Sequence, residues 1–215
     1  FKNRGWSAPN ALVYMESHDE ERIIFKALNY GNSNGSYNIK QLEIALERLK
    51  TLGSIYFLLP GPKMIWQFGE LGYDISINHN GRLGKKPILW NYYSNRERKN
   101  VYDAWSYLME IRKFPIFSNP NSNIQTWLNG SVKKIHYNYE EKNAILIANF
   151  DSKKVETNIK LPHKGTWFNV FLDDSVKFDS LNIPLNLPAG RFVLLADFET
   201  PKPKKDITQL SIVET

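Results

Sequence analysis

The stretch ALVYMESHDEER, residues 11–22, decides how this chain folds. Its first five residues form a short apolar run, which is typical of a strand buried on both faces of a parallel sheet. Polar and charged residues follow at once, among them His18, Asp19 and Arg22. In barrels and doubly wound sheets, functional side chains stand at the carboxyl ends of the strands. The stretch therefore predicts a parallel strand that leads directly into a candidate site.

An alternation of helices and strands continues on the carboxyl side of this stretch. Residues 36–49 carry apolar side chains at helical spacing, and we expect Gly53 to end that helix. The apolar residues 55–59, closed by Pro60, predict a second buried strand. Apolar positions at helical spacing predict a further helix over residues 96–113. Helices that alternate with apolar strands indicate parallel β/α units.

The second half of the chain has a different sequence pattern. Short β-like runs are separated by turn residues, which predicts an antiparallel β-sandwich over residues 119–198. The domain boundary is expected at the turn-prone segment after Ser118, and residues 199–215, rich in Pro and Lys, are expected to be a linker or tail. The predicted strands are residues 133–139, 144–149, 154–161, 167–172 and 190–197.

Composition excludes several classes of protein. The 215 residues carry a net charge of +6 and no Cys, so disulfide frameworks and thiolate metal sites are excluded. The basic residues are interleaved with acidic ones, whereas a nucleic-acid surface needs an unbroken basic stripe, so we predict no nucleic-acid partner. No apolar stretch approaches the roughly 20 residues that a membrane-spanning helix needs, and we predict no membrane partner. The compartment stays unassigned.

The first half lacks enough strands to be a complete fold. Two parallel strands with two helices cannot cover both faces of a sheet, and their free edges would invite aggregation. A β/α barrel needs eight strands to close. Either residues 1–118 complete a sheet contributed elsewhere, or they are the last part of a longer chain. We expect the second, with the missing upstream part of that chain as their partner.

The residues alone leave the role of the His18–Asp19 pair open. One possibility is a site at the end of a strand, and the other is a helix-capping Asp beside a hydrogen-bonded His. The remaining histidines fit no metal-ligand spacing, and no Gly-rich phosphate loop is present, so we predict neither a metal nor a cofactor in this chain.

Two segments resemble the α-amylase family of glycoside hydrolases. Residues 16–22, ESHDEER, resemble the family's Asn/Ser-His-Asp motif at the end of barrel strand seven. Residues 60–72, PGPKMIWQFGELG, resemble its strand-eight segment, and they follow at the appropriate distance. Lys63 and Phe68 depart from the common Pro and Gly of that segment, so a different backbone path is expected in the strand-eight loop.

The resemblance implies a fold class and an activity. The fold would be α/β plus all-β: the C-terminal portion of a (β/α)8 TIM barrel, strands seven and eight with their helices, followed by an antiparallel β-sandwich. The activity would be retaining hydrolysis or transglycosylation of an α-glucan of the starch or glycogen type, including amylase, branching and debranching chemistry. The nucleophile and the general acid would come from strands that this chain lacks, so the chain alone is expected to be inactive. Calcium is possible in the parent enzyme.

The resemblance also implies roles for four residues. Asp19 matches the family carboxylate that stabilises the transition state, and His18 matches the histidine that hydrogen-bonds the same sugar. Arg22 would support substrate binding, either by holding the acidic pair Asp19 and Glu20 in place or by capping the following helix. Glu70 matches a family Glu, which we expect to accept hydrogen bonds from nearby backbone amides or to contact substrate.

Two further functions stay open beside the enzyme. One is a non-catalytic amylase-like protein that binds carbohydrate or serves as a scaffold, and the other is a sugar-binding sandwich with a helical leader. Aromatic residues could stack on sugars in any of these, although packing in the core is the default expectation for them. The residues concerned are Trp66, Tyr73, Trp90, Tyr92 and Tyr93 in the first half and Trp127 and Trp167 in the second.

Overall fold

A computed structural model describes residues 5–172, 174–204 and 207 of the chain. The chain forms two compact units that divide between Leu108 and Met109. This division lies about ten residues before the predicted boundary after Ser118, and each unit is described by itself.

The first unit is organised around one parallel strand pair. Strand β1 (Val13–Tyr14) pairs with β4 (Lys63–Met64) in parallel, with Val13 opposite Lys63. The hydroxyl of Tyr56 lies 2.8 Å from the carbonyl oxygens of both Val13 and Met64. It thus connects the two strands to a helix that lies between them in the chain. Tyr14 is 45% exposed, so β1 is not buried on both faces as its apolar sequence predicted. Within the described residues, this pair belongs to no closed barrel.

Helices and a small hairpin complete the region between these strands. Helix α1 (Ile23–Tyr30) follows β1 and leads into a hairpin of β2 (Ser33–Asn34) and β3 (Tyr37–Asn38). Helix α2 (Leu42–Leu58) comes next. The predicted start of this helix near Ser36 was therefore wrong, because those residues form the hairpin.

The predicted strand over residues 55–59 was also wrong. Residues 55–58 are the C-terminal end of α2, and the strand that follows is β4. A short apolar run has the same pattern in a buried strand and in a buried helix end, so periodicity could not separate them. Gly53 does not end the helix either. It is a buried helical residue against the indole of Trp105, where an added Cβ would lie only 2.3 Å from Nε1.

The predicted helix over residues 96–113 is confirmed as α3 (Arg96–Ile111) and is followed by the short α4 (Pro115–Ser118). Val101, Trp105, Leu108 and Ile111 are buried as their spacing predicted, but Met109 is 40% exposed. Two 3-10 turns, Gly69–Leu71 and Trp90–Ser94, lie in the long segment between β4 and α3. In the described part of the chain, no helix is long and apolar enough to span a bilayer.

The second unit is a two-sheet β-sandwich, as predicted. Its larger sheet has six strands in the order β10-β9-β12-β7-β6-β5, and its smaller sheet pairs β11 with β8. The pairs in both sheets are antiparallel. The strands are β5 (Asn123–Trp127), β6 (Val132–Tyr139), β7 (Lys142–Asn149), β8 (Val155–Lys160), β9 (Gly165–Asn169), β10 (Asp174–Phe178), β11 (Asn182–Leu187) and β12 (Phe192–Ala196).

The two sheets share one aliphatic core. Side chains from β7, β8, β9, β11 and β12 meet there, with Trp167 fully buried among them. Its core members include Ile145, Ile147, Ile159, Leu161, Leu187, Val193 and Leu195. This contiguous core lies between two packed sheets, as in a β-sandwich.

In the second unit, sequence analysis missed three of the described strands, β5, β10 and β11, and each of them is an edge strand. Edge strands carry polar residues and proline, which prevent pairing with other chains, and these same residues weaken the strand signal. β11 shows this directly, because Pro184 lies in its middle. The predicted linker or tail, residues 199–215, lies partly outside the described residues, and its boundary stays a prediction.

Candidate functional site

The segment between β1 and α1 forms a tight turn that presents the His-Asp pair. Ser17 is buried at the base of the turn, where its Oγ accepts a hydrogen bond from the amide of Asp19 at 3.1 Å and donates one to the carboxylate of Glu20. The serine of the motif thus shapes the turn with its short hydroxyl. This local bonding leaves the next two side chains pointing outward.

His18 and Asp19 are adjacent and accessible. Their side chains are 72% and 64% exposed, and His18 Nε2 lies 3.3 Å from Asp19 Oδ2. Arg82 approaches from the other side, 3.3 Å from Asp19 Oδ1, and donates a 2.9 Å hydrogen bond to the Asp19 carbonyl. The carboxylate is therefore held between two nitrogen-bearing groups while its oxygens stay open to a ligand. Sequence reasoning missed Arg82, which is a single arginine in a Gly- and Asn-rich loop with no motif around it.

Arg22 does not hold the acidic pair Asp19 and Glu20, contrary to one of the two predicted roles. Its side chain is buried, lies 2.8 Å from Glu16 Oε1, and donates a 2.7 Å hydrogen bond to the carbonyl of Gln67. It makes no side-chain cap on α1 either. Arg22 instead joins the end of β1 to the segment after β4, and its guanidinium lies 4.5 Å above the ring of Tyr73.

Glu16 is the buried counter-ion that sequence analysis did not single out. Its Oε2 accepts a 2.9 Å hydrogen bond from the amide of Ile23 at the start of α1. Burial raises the pKa of Glu16, against the opposing attraction of Arg22. Gly69 packs so closely that an added Cβ would lie 2.7 Å from Glu16 Oε1. The available signal was positional, because Glu16 is the first acidic residue after β1 and lies two residues before His18.

Glu21 fixes the loop that carries Arg82. Its carboxylate accepts hydrogen bonds from Ser76 Oγ at 2.7 Å and from the amide of Ile77 at 3.0 Å. Burial alone would raise the pKa of Glu21, but these bonds and one from the amide of Arg22 outweigh it and lower the pKa. Further along, Lys86 Nζ lies within 3.3 Å of four loop carbonyl oxygens, those of His79, Gly81, Arg82 and Gly84. The loop around the pair is therefore internally braced.

Glu70 does not accept backbone hydrogen bonds as one prediction had it. The amides of Gly69, Leu71 and Gly72 donate instead to the backbone carbonyls of Trp66, Phe68 and Gly69. Glu70 itself is half-buried and, within the described residues, forms neither a hydrogen bond nor an ion pair. Its carboxylate is thus free for a ligand contact, which stays a prediction.

Phe68 shows why the strand-eight loop tolerates its departure from glycine. Phe68 has φ of 59°, a left-handed conformation that favours glycine and strains a bulky residue. The side chain is buried and packs on the rings of Tyr73 and Trp90, at centroid distances of 5.8 and 5.0 Å. Packing of the side chain thus offsets the backbone strain. Phe68 keeps a backbone conformation that glycine would adopt there.

A cavity of about 270 Å³ lies beside the His-Asp pair. Its walls include His18, Arg22, Trp66, Tyr73 and Arg82. The ring centroids of His18 and Trp66 are 5.8 Å apart and the two rings are tilted by 46°, so one side of the cavity is lined by aromatic rings. Of the five first-half aromatics that could stack on sugars, Trp66 and Tyr73 line this cavity. Trp90, Tyr92 and Tyr93 lie outside its lining.

The site offers one open carboxylate together with hydrogen-bond donors and an aromatic ring. Glu16 and Glu21 accept hydrogen bonds from backbone amides, and the exposed Glu20 accepts one from Ser17. The exposed carboxylate of Asp19 lies 3.3 Å from both His18 and Arg82. Such an arrangement can accept hydrogen bonds from hydroxyl groups and stabilise a nearby positive charge. In the described residues, no group of three or more His, Asp or Glu side chains is placed to hold a metal ion.

Comparison with solved structures identifies the fold. No protein-family model and no curated protein sequence matches the chain. An α-amylase from Geobacillus thermoleovorans, complexed with acarbose, matches with a TM-score of 0.65 at 15% identity, over 89% of this chain and 40% of that one. The chain shares the fold of a part of the α-amylase structure.

Two other neighbours with an α-amylase-type fold have different activities. A maltogenic α-amylase from Thermotoga neapolitana matches with a TM-score of 0.60 at 14% identity, over 92% of this chain and 42% of that one. A debranching enzyme from Nostoc punctiforme matches with a TM-score of 0.55 at 14% identity, over 86% and 33%. The chain thus spans between 33% and 42% of the length of these three structures. At such identities the likeness establishes the fold, and the site chemistry has to be argued from the residues.

Proposed function

We propose that this chain provides the sugar-binding, transition-state-stabilising Asp19 of a retaining α-glucan-active glycoside hydrolase or transglycosylase. The observation that carries the proposal is the accessible Asp19 carboxylate, held between His18 and Arg82 at the end of a parallel strand. An α-amylase-type fold around it supports the choice of substrate class, since neighbours with this fold were crystallised with acarbose, maltose or maltotriose.

The chemistry asks for a carboxylate that binds the ring being cleaved. Glycoside hydrolysis passes through an oxocarbenium-like transition state in which the ring distorts and gains positive charge. Asp19 can accept hydrogen bonds from ring hydroxyls, and its negative charge stabilises the developing positive charge. His18 adds a donor at the same ring, and Trp66 offers a face on which an apolar sugar surface can pack.

Arg22 and Glu70 have supporting roles in this proposal. Arg22 is a positioning residue, because it links the Asp19 turn to the segment after β4 through Glu16 and the carbonyl of Gln67. Glu70 has an unengaged carboxylate and is proposed to reach a sugar hydroxyl. The nucleophile and the general acid are proposed to come from a part of the enzyme outside this chain, so the isolated chain should release no reducing sugar from starch.

The test replaces Asp19 by Asn in the complete enzyme and measures kcat and KM on a soluble α-glucan. A contact that tightens in the transition state lowers kcat far more than it raises KM. We expect a loss of kcat on the order of 10²–10³, as for removal of one oxyanion-hole donor. A helix cap would behave differently, because Asn caps nearly as well as Asp.

The matched control is Asp179→Asn, which removes an exposed carboxylate of the second unit. It should leave kcat unchanged. A kcat close to wild type for Asp19→Asn, at an unchanged melting temperature, would contradict the proposed role. Binding of maltotriose without any hydrolysis by the complete protein would favour instead the non-catalytic, carbohydrate-binding alternative.

A further inference from the structure

The inner face of the large sheet in the second unit extends beyond the sheet that covers it. Ile145 and Ile147 of β7 point into the aliphatic core between the sheets. On the next strand, β6, the residues directly opposite them are His136 and Lys134. Directly opposed residues of an antiparallel pair share a face, so the inner face changes here from aliphatic to polar. Two strands, β8 and β11, make up the facing sheet, against six in the larger one.

The same face continues onto the edge strand β5. Gln125 lies opposite His136, and Trp127 lies opposite Lys134. Trp127 is 49% exposed, although a tryptophan on the inner face of a sandwich would ordinarily be buried, as Trp167 is. Its ring lies 4.9 Å from that of His136 in an edge arrangement, so a neighbour on the same face orients it.

These residues form one wall of a groove with a volume of about 680 Å³. The other wall is the edge strand β8, which contributes Asn158 and Lys160. Lys134 Nζ donates a 2.8 Å hydrogen bond to the carbonyl of Asn158 and so connects the two walls. An adjoining groove of about 280 Å³ shares Gln125 and His136 with the first, so the surface is elongated.

The groove has the chemistry of a site for a hydroxyl-rich chain, and its two lysines, Lys134 and Lys160, can donate hydrogen bonds to hydroxyl oxygens. An exposed indole face can pack against the apolar face of a sugar ring. Around it stand amide side chains, Gln125 and Asn158, that both donate and accept hydrogen bonds. No acidic side chain is present among the described residues that line it. Burial and the charge of Lys134 lower the pKa of His136, which favours the neutral ring, and a neutral imidazole can both donate and accept.

We propose that this groove is a second carbohydrate-binding site, which binds a neutral glucan chain through Trp127, Gln125, His136 and Asn158. The size of the groove falls within the range of ligand sites, and its length suits an oligosaccharide better than a single sugar. The choice of a glucan rests on the proposed function, whereas the site itself rests on the uncovered face of the sandwich.

The test follows the indole N–H resonance of Trp127 in the ¹⁵N-labelled 215-residue chain during titration with maltoheptaose. The resonance is assigned by its absence from the spectrum of Trp127→Phe. We expect it to shift with a Kd on the order of 1 mM, in the range of weak single-site binding. Trp127→Ala should weaken binding at this site by about tenfold or more, because it removes the central aromatic anchor. For this variant the readout is the ring resonances of His136.

Trp6→Ala is the matched control, since Trp6 is also exposed but lies outside the groove, and it should leave the titration unchanged. Trp127→Phe keeps an aromatic face and should retain part of the affinity, which separates lost binding from lost folding. The proposal is overturned if maltoheptaose leaves the Trp127 resonance unmoved, or if a sulfated glycan shifts it at far lower concentration. Because the readout is local to Trp127, it is independent of whether Asp19 proves catalytic.

Discussion

At the residue scale, the buried Glu16–Arg22 pair is the least replaceable part of the candidate site. Arg22 reaches three separate parts of the first unit through Glu16, Gln67 and Tyr73. A buried charge that loses its partner is strongly destabilising, whereas an exposed ion pair contributes little. The exposed His18–Asp19 pair therefore depends on the buried Glu16–Arg22 pair for its position.

We expect Glu16→Gln to destabilise the chain by about 3 kcal/mol, because it leaves the buried guanidinium of Arg22 without a counter-ion. The measurement is urea unfolding followed by circular dichroism. Glu20→Gln is the control, since Glu20 is exposed and its amide variant can still accept a hydrogen bond from Ser17. Equal midpoints for Glu16→Gln and wild type would show that Arg22 is held by Gln67 and Tyr73 alone.

His163 makes the stability of the second unit depend on pH. Its Nε2 lies 2.8 Å from Asp197 Oδ2 and its Nδ1 lies 2.8 Å from the carbonyl of Lys164. Both neighbours are acceptors, so only the doubly protonated ring can donate to both. These two hydrogen bonds, with the Asp197 one the larger, raise the pKa of His163.

A raised pKa in the folded state stabilises the protein at low pH. The contribution is fully present below the unfolded value, about 6.5, and is lost as the pH rises through the higher folded value. We expect His163→Gln to lower the melting temperature at about pH 5.5 and to have little effect at about pH 8.5. Titration by NMR should place the pKa of His163 above 6.5 and that of His136 below it, since their environments act in opposite directions. A His163 value at or below 6.5 would remove the predicted pH dependence.

At the element scale, the packing of α2 against α3 explains why a helix passes through Gly53. Trp105 lies against the Gly53 backbone, and its Nε1 donates a 3.2 Å hydrogen bond to the carbonyl of Leu49. Its indole also packs edge-on against Phe57, with 5.1 Å between the ring centroids. Glycine is needed at residue 53 for this close approach, even though it lowers helix propensity.

Gly53→Ala should therefore destabilise the chain despite its gain of about 1 kcal/mol in helix propensity. The added Cβ displaces the Trp105 indole, and overpacking of this kind costs about 1–3 kcal/mol. Thermal unfolding of Gly53→Ala, Trp105→Phe and the double variant forms a double-mutant cycle. We expect the double variant to be less destabilised than the sum of the two single variants. Additive effects would show that residues 53 and 105 do not compete for the same space.

At the scale of the whole molecule, the two units differ in their ability to fold alone. The second unit contains a contiguous core between two sheets, whereas the first has one two-residue parallel strand pair. Helix α4 belongs to the second unit, where the ring of Phe117 packs on Tyr137 at 4.9 Å and both side chains are buried. A sandwich cut at residue 119 would lose this contact.

We expect residues 109–204 to unfold cooperatively when expressed alone, and residues 119–198 to melt several degrees lower. The reason is the loss of α4 together with the contact between Phe114 and Phe198, whose ring centroids are 5.5 Å apart. Differential scanning calorimetry of the two fragments makes the comparison. Residues 1–108 alone should show no cooperative transition. Equal melting temperatures for the two sandwich fragments would support the predicted boundary after Ser118.

The sequence by itself determined the features that local patterns encode. Short β-like runs separated by turn residues predicted the sandwich, and helical spacing predicted α3. The motifs at residues 16–22 and 60–72 pointed to the fold that the solved structures share. Each of these signals is carried by neighbouring residues in the chain. The physical preferences that produce them act over a few residues, and they are visible without the fold.

The tertiary structure alone decided which partners those residues meet. Residues 55–58 end a helix because they pack in its buried face, although their sequence suits a strand equally well. Arg22 pairs with Glu16 rather than with Asp19, and Arg82 reaches Asp19 across a separation of 63 residues. Trp127 is exposed while Trp167 is buried, because the smaller sheet covers one end of the larger sheet and leaves the other uncovered. Long-range contacts of this kind depend on which surfaces the whole fold brings together, and no local pattern records them.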